Sequence, residues 1–282
     1  MLGRREALAL IAAGAVSPAL AAPTAHDPRI AALEAKLSGH IGVSALDTAS
    51  GRMLRHRAAE RFPMCSTFKL LAVAAVLHRV DTDCEDLARQ VMVDKADVVG
   101  WAPVTEKHIG EHLPLRTLCE AAITVSDNGA ANLILNALGG PQGVTGYARS
   151  LGDRITRLDR RELALNQGAP GDPRDTTTPD ATVANLRKLL VGEGLAPTSR
   201  SMLCDWLVAD RQGEARIRAG TPAGWKVGDK TGTGTNATND IAIVWPPGRA
   251  PILVAAYIRL SPRPAAEQEA ALAEIGRIVT AL

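Results

Sequence analysis

Apolar residues recur at helical spacing over residues 30–37, then at alternate positions over 41–47. The first pattern predicts a helix and the second a strand. Residues 53–57 predict that strand's hairpin partner, across Thr48-Ala49-Ser50-Gly51. A long apolar helix is expected over 67–80. Residues 115–125, 130–138 and 182–190 carry the same helical period, with Gly and Pro between them. From 160 to 179 the periodicity is lost in a stretch rich in Gly, Pro, Asp and Thr. A loop of that length inside a compact domain is usually functional. Residues 226–231, 241–245 and 252–260 return to strand patterning, and 265–282 predict a closing helix.

The order is strands, helices, strands, helix. Hairpin-like spacing favours antiparallel pairing, so the five strand-like runs are expected to form one antiparallel sheet flanked by helices. This is an α/β class of the α+β sandwich type, with an all-α domain inserted between the sheet's two halves. The expected units are 22–58 with 208–282 for the α/β part, and 59–207 for the helical part. No internal repeat or low-complexity tract interrupts this order.

Composition narrows the setting. The chain has 282 residues, with 46% hydrophobic, 22% charged and 3% aromatic residues, which suits a folded chain with an aliphatic core. A net charge of +2 gives no case for nucleic-acid binding. Arg4-Arg5, the apolar run at 7–16, Ser17-Pro18 and Ala19-Leu20-Ala21 have the order of an export signal cleaved after residue 21. The arginine pair fits twin-arginine export, and an ordinary secretory signal fits as well. The processed protein is expected to be periplasmic or secreted, off the membrane and monomeric. Cys65, Cys84, Cys119 and Cys204 are widely spaced and are expected to stay unpaired.

Three short motifs carry candidate chemistry. Ser66-Thr67-Phe68-Lys69 opens the long apolar helix, where residues i and i+3 share a face, so Lys69 can reach the Ser66 hydroxyl. The helix start also favours negative charge on that oxygen. Ser126-Asp127-Asn128 lies at a corner between two helices; alone it reads as a helix cap. Lys230-Thr231-Gly232-Thr233-Gly234 follows a strand, and its lysine precedes its glycines, unlike a phosphate loop. His108-Ile109-Gly110-Glu111-His112 has zinc-site spacing, but Gly110 and Pro114 argue for a loop. No metal or cofactor is expected.

In this order the three motifs are those of class A serine β-lactamases and penicillin-binding proteins. The chain resembles that family over nearly all of its length after the signal, which implies the β-lactamase/transpeptidase-like fold. Arg160-Arg161-Glu162-Leu163-Ala164-Leu165-Asn166 is similar to the Glu-x-x-Leu-Asn segment of the class A Ω-loop, placed here at about 157–175. Penicillin-binding D,D-peptidase-like acyltransferases and non-turnover β-lactam receptors lack this glutamate.

The resemblance implies roles. Ser66 attacks the lactam carbonyl; either Lys69 or Glu162 takes its proton. Backbone N–H groups of Ser66 and Thr233 form the oxyanion hole. Ser126 hands a proton to the lactam nitrogen. Glu162 with Asn166 activates the water that releases the acyl group. Lys230, Thr231, Gly232 and Thr233 face the substrate carboxylate, Asn128 binds the side-chain amide, and Trp101 gates the cleft. Asp127, Asn132, Arg160 and Asp175 are support, the last two as an ion pair pinning the Ω-loop. Many relatives carry an arginine on the strand after the Lys-Thr-Gly motif; this chain has Asn239 there, and Arg216 is expected to supply the charge. In the carbapenem-hydrolysing group the cysteine before the nucleophile pairs with a cysteine that is here Gly234. The expected substrates are penicillins and cephalosporins, with carbapenems left open.

Overall fold

The computed structural model describes residues 27–282. The expected export signal lies outside the described residues. In chain order the elements are α1 (Pro28–Leu37), β1 (His40–Asp47), β2 (Met53–His56), β3 (Phe62–Pro63), α2 (Phe68–Asp81), β4 (Gln90–Met92), β5 (His112–Pro114), α3 (Leu115–Thr124), α4 (Asn128–Ala137) and α5 (Pro141–Ser150). There follow β6 (Thr176–Thr177), α6 (Pro179–Leu186), α7 (Pro197–Ala209), α8 (Ile217–Gly220), β7 (Lys226–Gly234), β8 (Ala237–Trp245), β9 (Ile252–Arg259) and α9 (Ala265–Val279).

The five-stranded sheet has the order β2-β1-β9-β8-β7, antiparallel throughout. Both its faces are covered, and the period of two along a strand sorts the side chains. Leu253, Ala255 and Tyr257 of β9 join a core shared with the helical block. Ile252, Val254, Ala256 and Ile258 join a second core with α1 and α9. That double burial is why 252–260 reads as one apolar run rather than an alternation.

In α2, every residue from Phe68 to Leu77 is buried. A helix apolar all round belongs at the centre of a bundle, and α2 packs among α3, α4, α5 and α7. It carries Lys69 on the same buried cylinder. The helix begins one residue later than its apolar pattern suggests, because Cys65–Thr67 forms a 3-10 turn ahead of it.

Three helices, α5, α7 and the four-residue α8, escape the sequence pattern. Gly143 and Gly146 dilute the helical signal of α5, and Pro197-Thr198-Ser199 disguises the start of α7. Pro is tolerated in a first turn, where its missing N–H would have no partner anyway. The aperiodic stretch after 160 is a loop with one 3-10 turn, Ala164–Asn166, before the short strand β6.

Candidate active site

Ser66 sits on the 3-10 turn that enters α2, just after Cys65 with φ of 46°. Lys69, one turn on, donates to Ser66 Oγ at 3.0 Å. The same Nζ donates to Ser126 O at 2.9 Å, Ser126 Oγ at 3.3 Å and Asn128 Oδ1 at 2.7 Å. It also lies 3.1 Å from Glu162 Oε1, with both side chains fully buried. Burial pulls the Lys69 ammonium below its usual range, and the Glu162 charge opposes that pull. Ser66 Oγ is itself 3.5 Å from Glu162 Oε1. One hydroxyl therefore faces both a carboxylate able to take its proton and a lysine able to take it in the neutral form that burial favours.

The corner that carries Ser126 is built by Asp127. Its carboxylate caps α4 by accepting from Ala130 N at 2.8 Å, and it also accepts from Val104 N, Thr105 N and Thr105 Oγ1. Capping and site-building are thus one interaction set. Ser126 takes φ of 57°, which turns its side chain out of the helix path. Asn128 N donates to Trp101 O at 2.9 Å, and Trp101 Nε1 donates to Val125 O at 2.8 Å. Trp101 is anchored at its polar edge yet 57% exposed, so its ring is free to stack.

The loop is pinned at its neck and its centre. Arg160 Nε donates to Asp175 Oδ2 at 2.5 Å, and Asp175 Oδ1 accepts from the backbone of Asp159 and Arg160. Asn132 accepts from Glu162 N at 3.2 Å and donates to Glu162 O at 3.5 Å. Asn166 Nδ2 donates to Glu162 Oε2 at 2.7 Å, while its buried Oδ1 has no partner among the described residues. Each Glu162 oxygen is thereby committed: one towards Lys69 and Ser66, the other towards Asn166.

On the opposite wall, β7 presents Thr231 and Thr233, with Lys230 buried behind them and its Nζ donating to Thr231 O at 3.1 Å. Lys230 is fully buried, and burial lowers it to about 8, with the Lys69 charge adding to the effect. Asp210, Asp229 and Asp240 surround it from α7's end, β7 and β8, each fully buried. Burial pushes Asp229 up to about 6 and Asp240 well above the carboxylate range, the latter helped by Asp229. Arg216 donates to Thr233 Oγ1 at 2.9 Å, Asn239 O at 2.8 Å and Gly232 O at 3.3 Å, and pairs with Glu269 of α9 at 3.3 Å. Its guanidinium therefore lies beside Thr233.

A cleft of about 370 Å³ joins these groups, lined by Ser66, Trp101, Ser126, Asn128, Leu163, Asn166, Gln212, Arg216, Thr231 and Thr233. Leu163 and Gln212 were not legible as site residues. Gln212 has no motif around it, and Leu163 sits inside the Glu-x-x-Leu-Asn segment without announcing its direction. Asn239 does not line the cleft; its side chain is buried against Pro63 and Met64. His108 pairs with Glu111 at 2.7 Å, and His112 begins β5, so the zinc-like spacing falls on a 3-10 turn and a strand instead of one helix face. All four cysteines are free.

The family model described as the beta-lactamase enzyme family matches residues 26–282. Beta-lactamase AST-1 of Nocardia asteroides is 49% identical over 254 residues, covering 90% of this chain and 82% of the relative. The carbapenem-hydrolyzing beta-lactamase KPC of Klebsiella oxytoca is 46% identical over 250 residues, covering 88% and 85%. A solved ancestral class A β-lactamase (GNCA) superposes with a TM-score of 0.89 at 56% identity, covering 90% of this chain and 99% of that one.

Proposed function

The chain belongs to the β-lactamase enzyme family and is a class A serine hydrolase of β-lactams, and we propose that Ser66 carries the reaction through an acyl-enzyme that a Glu162-activated water releases. The observation that carries this reading is the convergence of Lys69 Nζ, at 3.0 Å, and Glu162 Oε1, at 3.5 Å, on one serine oxygen.

Acylation begins with loss of the Ser66 proton to Lys69 or Glu162, both within reach. A base so placed contributes about 10²–10⁴-fold. The Ser66 oxygen adds to the lactam carbonyl, whose oxygen takes up charge against the N–H groups of Ser66 and Thr233. Preorganised donors stabilise that charge without reorganisation. Ser126, linked to Lys69 at 3.3 Å, returns the proton to the lactam nitrogen as the ring opens. Lys230, Thr231, Thr233 and Arg216 receive the substrate carboxylate. Asn128 keeps its Oδ1 on Lys69, which leaves amide N–H donors for the substrate's side chain. Deacylation uses Glu162, oriented by Asn166 and Asn132, to draw a proton from water at the ester.

The proposed substrates are penicillins and cephalosporins. Trp101, Thr233 and Arg216 favour adding carbapenems, the class named for one relative; Gly234 opposite the unpaired Cys65 argues against it. The second apolar core, drawn only from residues between Ile30 and Leu54 and between Ile217 and Val279, supports reading 22–58 with 208–282 as one unit; the first core is the seam at which the sheet meets the helices of 59–207. Arg4-Arg5 and the apolar run after it support export to the periplasm or medium. Among the described residues, no helix is long and apolar enough to cross a membrane. Ser66→Ala tests the assignment: it should abolish both hydrolysis and covalent labelling by benzylpenicillin, and labelling elsewhere on the chain would contradict it.

A further inference from the structure

The turn that carries the nucleophile packs closely against one rung of the sheet, Gly232 of β7 with Asn239 of β8. A Cβ on Gly232 would meet Met64 O at 2.7 Å and Thr67 Cγ2 at 3.0 Å, so its absence admits the turn against the strand. Asn239, fully buried, donates from Nδ2 to Pro63 O at 2.8 Å and Met64 O at 3.2 Å. These carbonyls belong to the two residues just before the left-handed Cys65. The backbone carbonyl of Asn239 accepts from Arg216 at 2.8 Å. One residue thus touches both the nucleophile turn and the cation expected to meet the substrate carboxylate.

The amide can serve in one orientation. Turned over, its oxygen would face two carbonyl oxygens. In the orientation present, Oδ1 is buried with no partner among the described residues. An unsatisfied buried acceptor is unfavourable, and an apolar side chain of similar volume would avoid it. What such a side chain lacks is a donor.

We infer that Asn239 is a positioning residue: its two amide N–H groups fix the Pro63–Met64 backbone to the sheet and so set the spacing between Ser66 on the turn and Thr233 on β7. This rests on the proposed function, in which those two residues supply the oxyanion donors. Loosening the clamp should shift Ser66 relative to Thr233 and weaken the grip on the acyl carbonyl, while the contacts of Ser66 with Lys69 and Glu162 are kept.

The test uses the acyl-enzyme formed with benzylpenicillin in a Glu162→Ala background, read by the infrared stretch of its ester carbonyl. Adding Asn239→Leu should move the band to higher wavenumber and broaden it. In the otherwise unaltered enzyme the same change should lower kcat/KM roughly tenfold to hundredfold. Asn239→Asp gives a second reading. Its carboxyl can donate only when protonated, and burial raises its titration range, so its kcat/KM relative to the parent should recover as the pH is lowered. An unmoved band with only a lower Tm, or an Asp variant with no acid recovery, would overturn the inference. If the Glu162→Ala parent forms no adduct, the Ser66–Glu162 reading fails instead, and the acid recovery still decides Asn239.

Discussion

Lys69 and Glu162 form an ion pair with no solvent exposure on either side chain, Nζ to Oε1 at 3.1 Å. Lys69 comes from the apolar helix and Glu162 from the loop, so the pair locks the loop to the bundle beside Ser66. Breaking a buried pair from one side leaves an uncompensated charge and typically costs about 3–5 kcal/mol. Lys69→Ala should therefore destabilise the protein by about that amount in a denaturant titration, besides lowering kcat by about 10²–10⁴-fold. A loss of activity with unchanged stability would show that Glu162 does not depend on this partner.

Lys230 makes a pH prediction with two opposite signs. The folded chain holds its ammonium at about 8, below the usual 10.5. If this ammonium receives the substrate carboxylate as proposed, that charge is lost as the pH rises through about 8, and kcat/KM should fall there. The unfolded lysine stays protonated up to 10.5, so between these values the unfolded chain binds more protons. This residue's contribution to stability therefore rises over that window and is least below 8. Lys230→Arg, which stays charged, should move the alkaline limb of the rate profile upward. A limb unmoved by that change would assign it to another group.

Arg216 is held by a fork of acceptors: Gly232 O, Asn239 O, Thr233 Oγ1 and Glu269 Oε1. Arg216→Ala should raise KM severalfold or more for penicillins, with a smaller effect on kcat. Lysine should restore little, since a point charge cannot satisfy a planar fork. Glu269→Gln, which removes the carboxylate charge, should raise KM less than Arg216→Ala. Unchanged steady-state kinetics in both arginine variants would reject the carboxylate role.

These relations explain how far the sequence could be read. The motif residues were legible because their spacing is local: Ser66 and Lys69 are one helical turn apart, and Ser126-Asp127-Asn128 is contiguous. The pinning of the loop by Arg160 and Asp175 could be expected only through resemblance, since 15 residues separate them. The Arg216–Glu269 contact spans 53 residues, and Asn239 reaches back 176 to Pro63. No periodicity or propensity encodes such pairs, because the sheet order brings them together. The same holds for Asp210, Asp229 and Asp240, which read as ordinary charges in the chain and lie fully buried in the fold. The helices α5 and α7 escape for a different reason, the weak local signal of their Gly and Pro residues, and α8 because its four residues are too few to show a period.

Gly234 and Cys65 are close neighbours where the nucleophile turn meets β7. A Cβ on Gly234 would lie 2.7 Å from Cys65 Sγ. Gly234→Cys should therefore cross-link under an oxidant, losing two free thiols in a titration. Burial holds the Cys65 thiol at about 12, so the reaction should be slow at neutral pH and faster as the pH rises. The new Cβ would also meet Asn166 O at 2.9 Å, so kcat should fall even in the reduced protein. Two persistent free thiols would contradict the geometry.

The central claim is that Ser66 is acylated and then released by Glu162. Intact-protein mass spectrometry after mixing with benzylpenicillin reads both steps at once. The unaltered protein should return to its free mass as the substrate is consumed, whereas Glu162→Ala should accumulate a stable adduct on Ser66. A persistent adduct on the unaltered protein, or undiminished turnover by Glu162→Ala, would contradict the account.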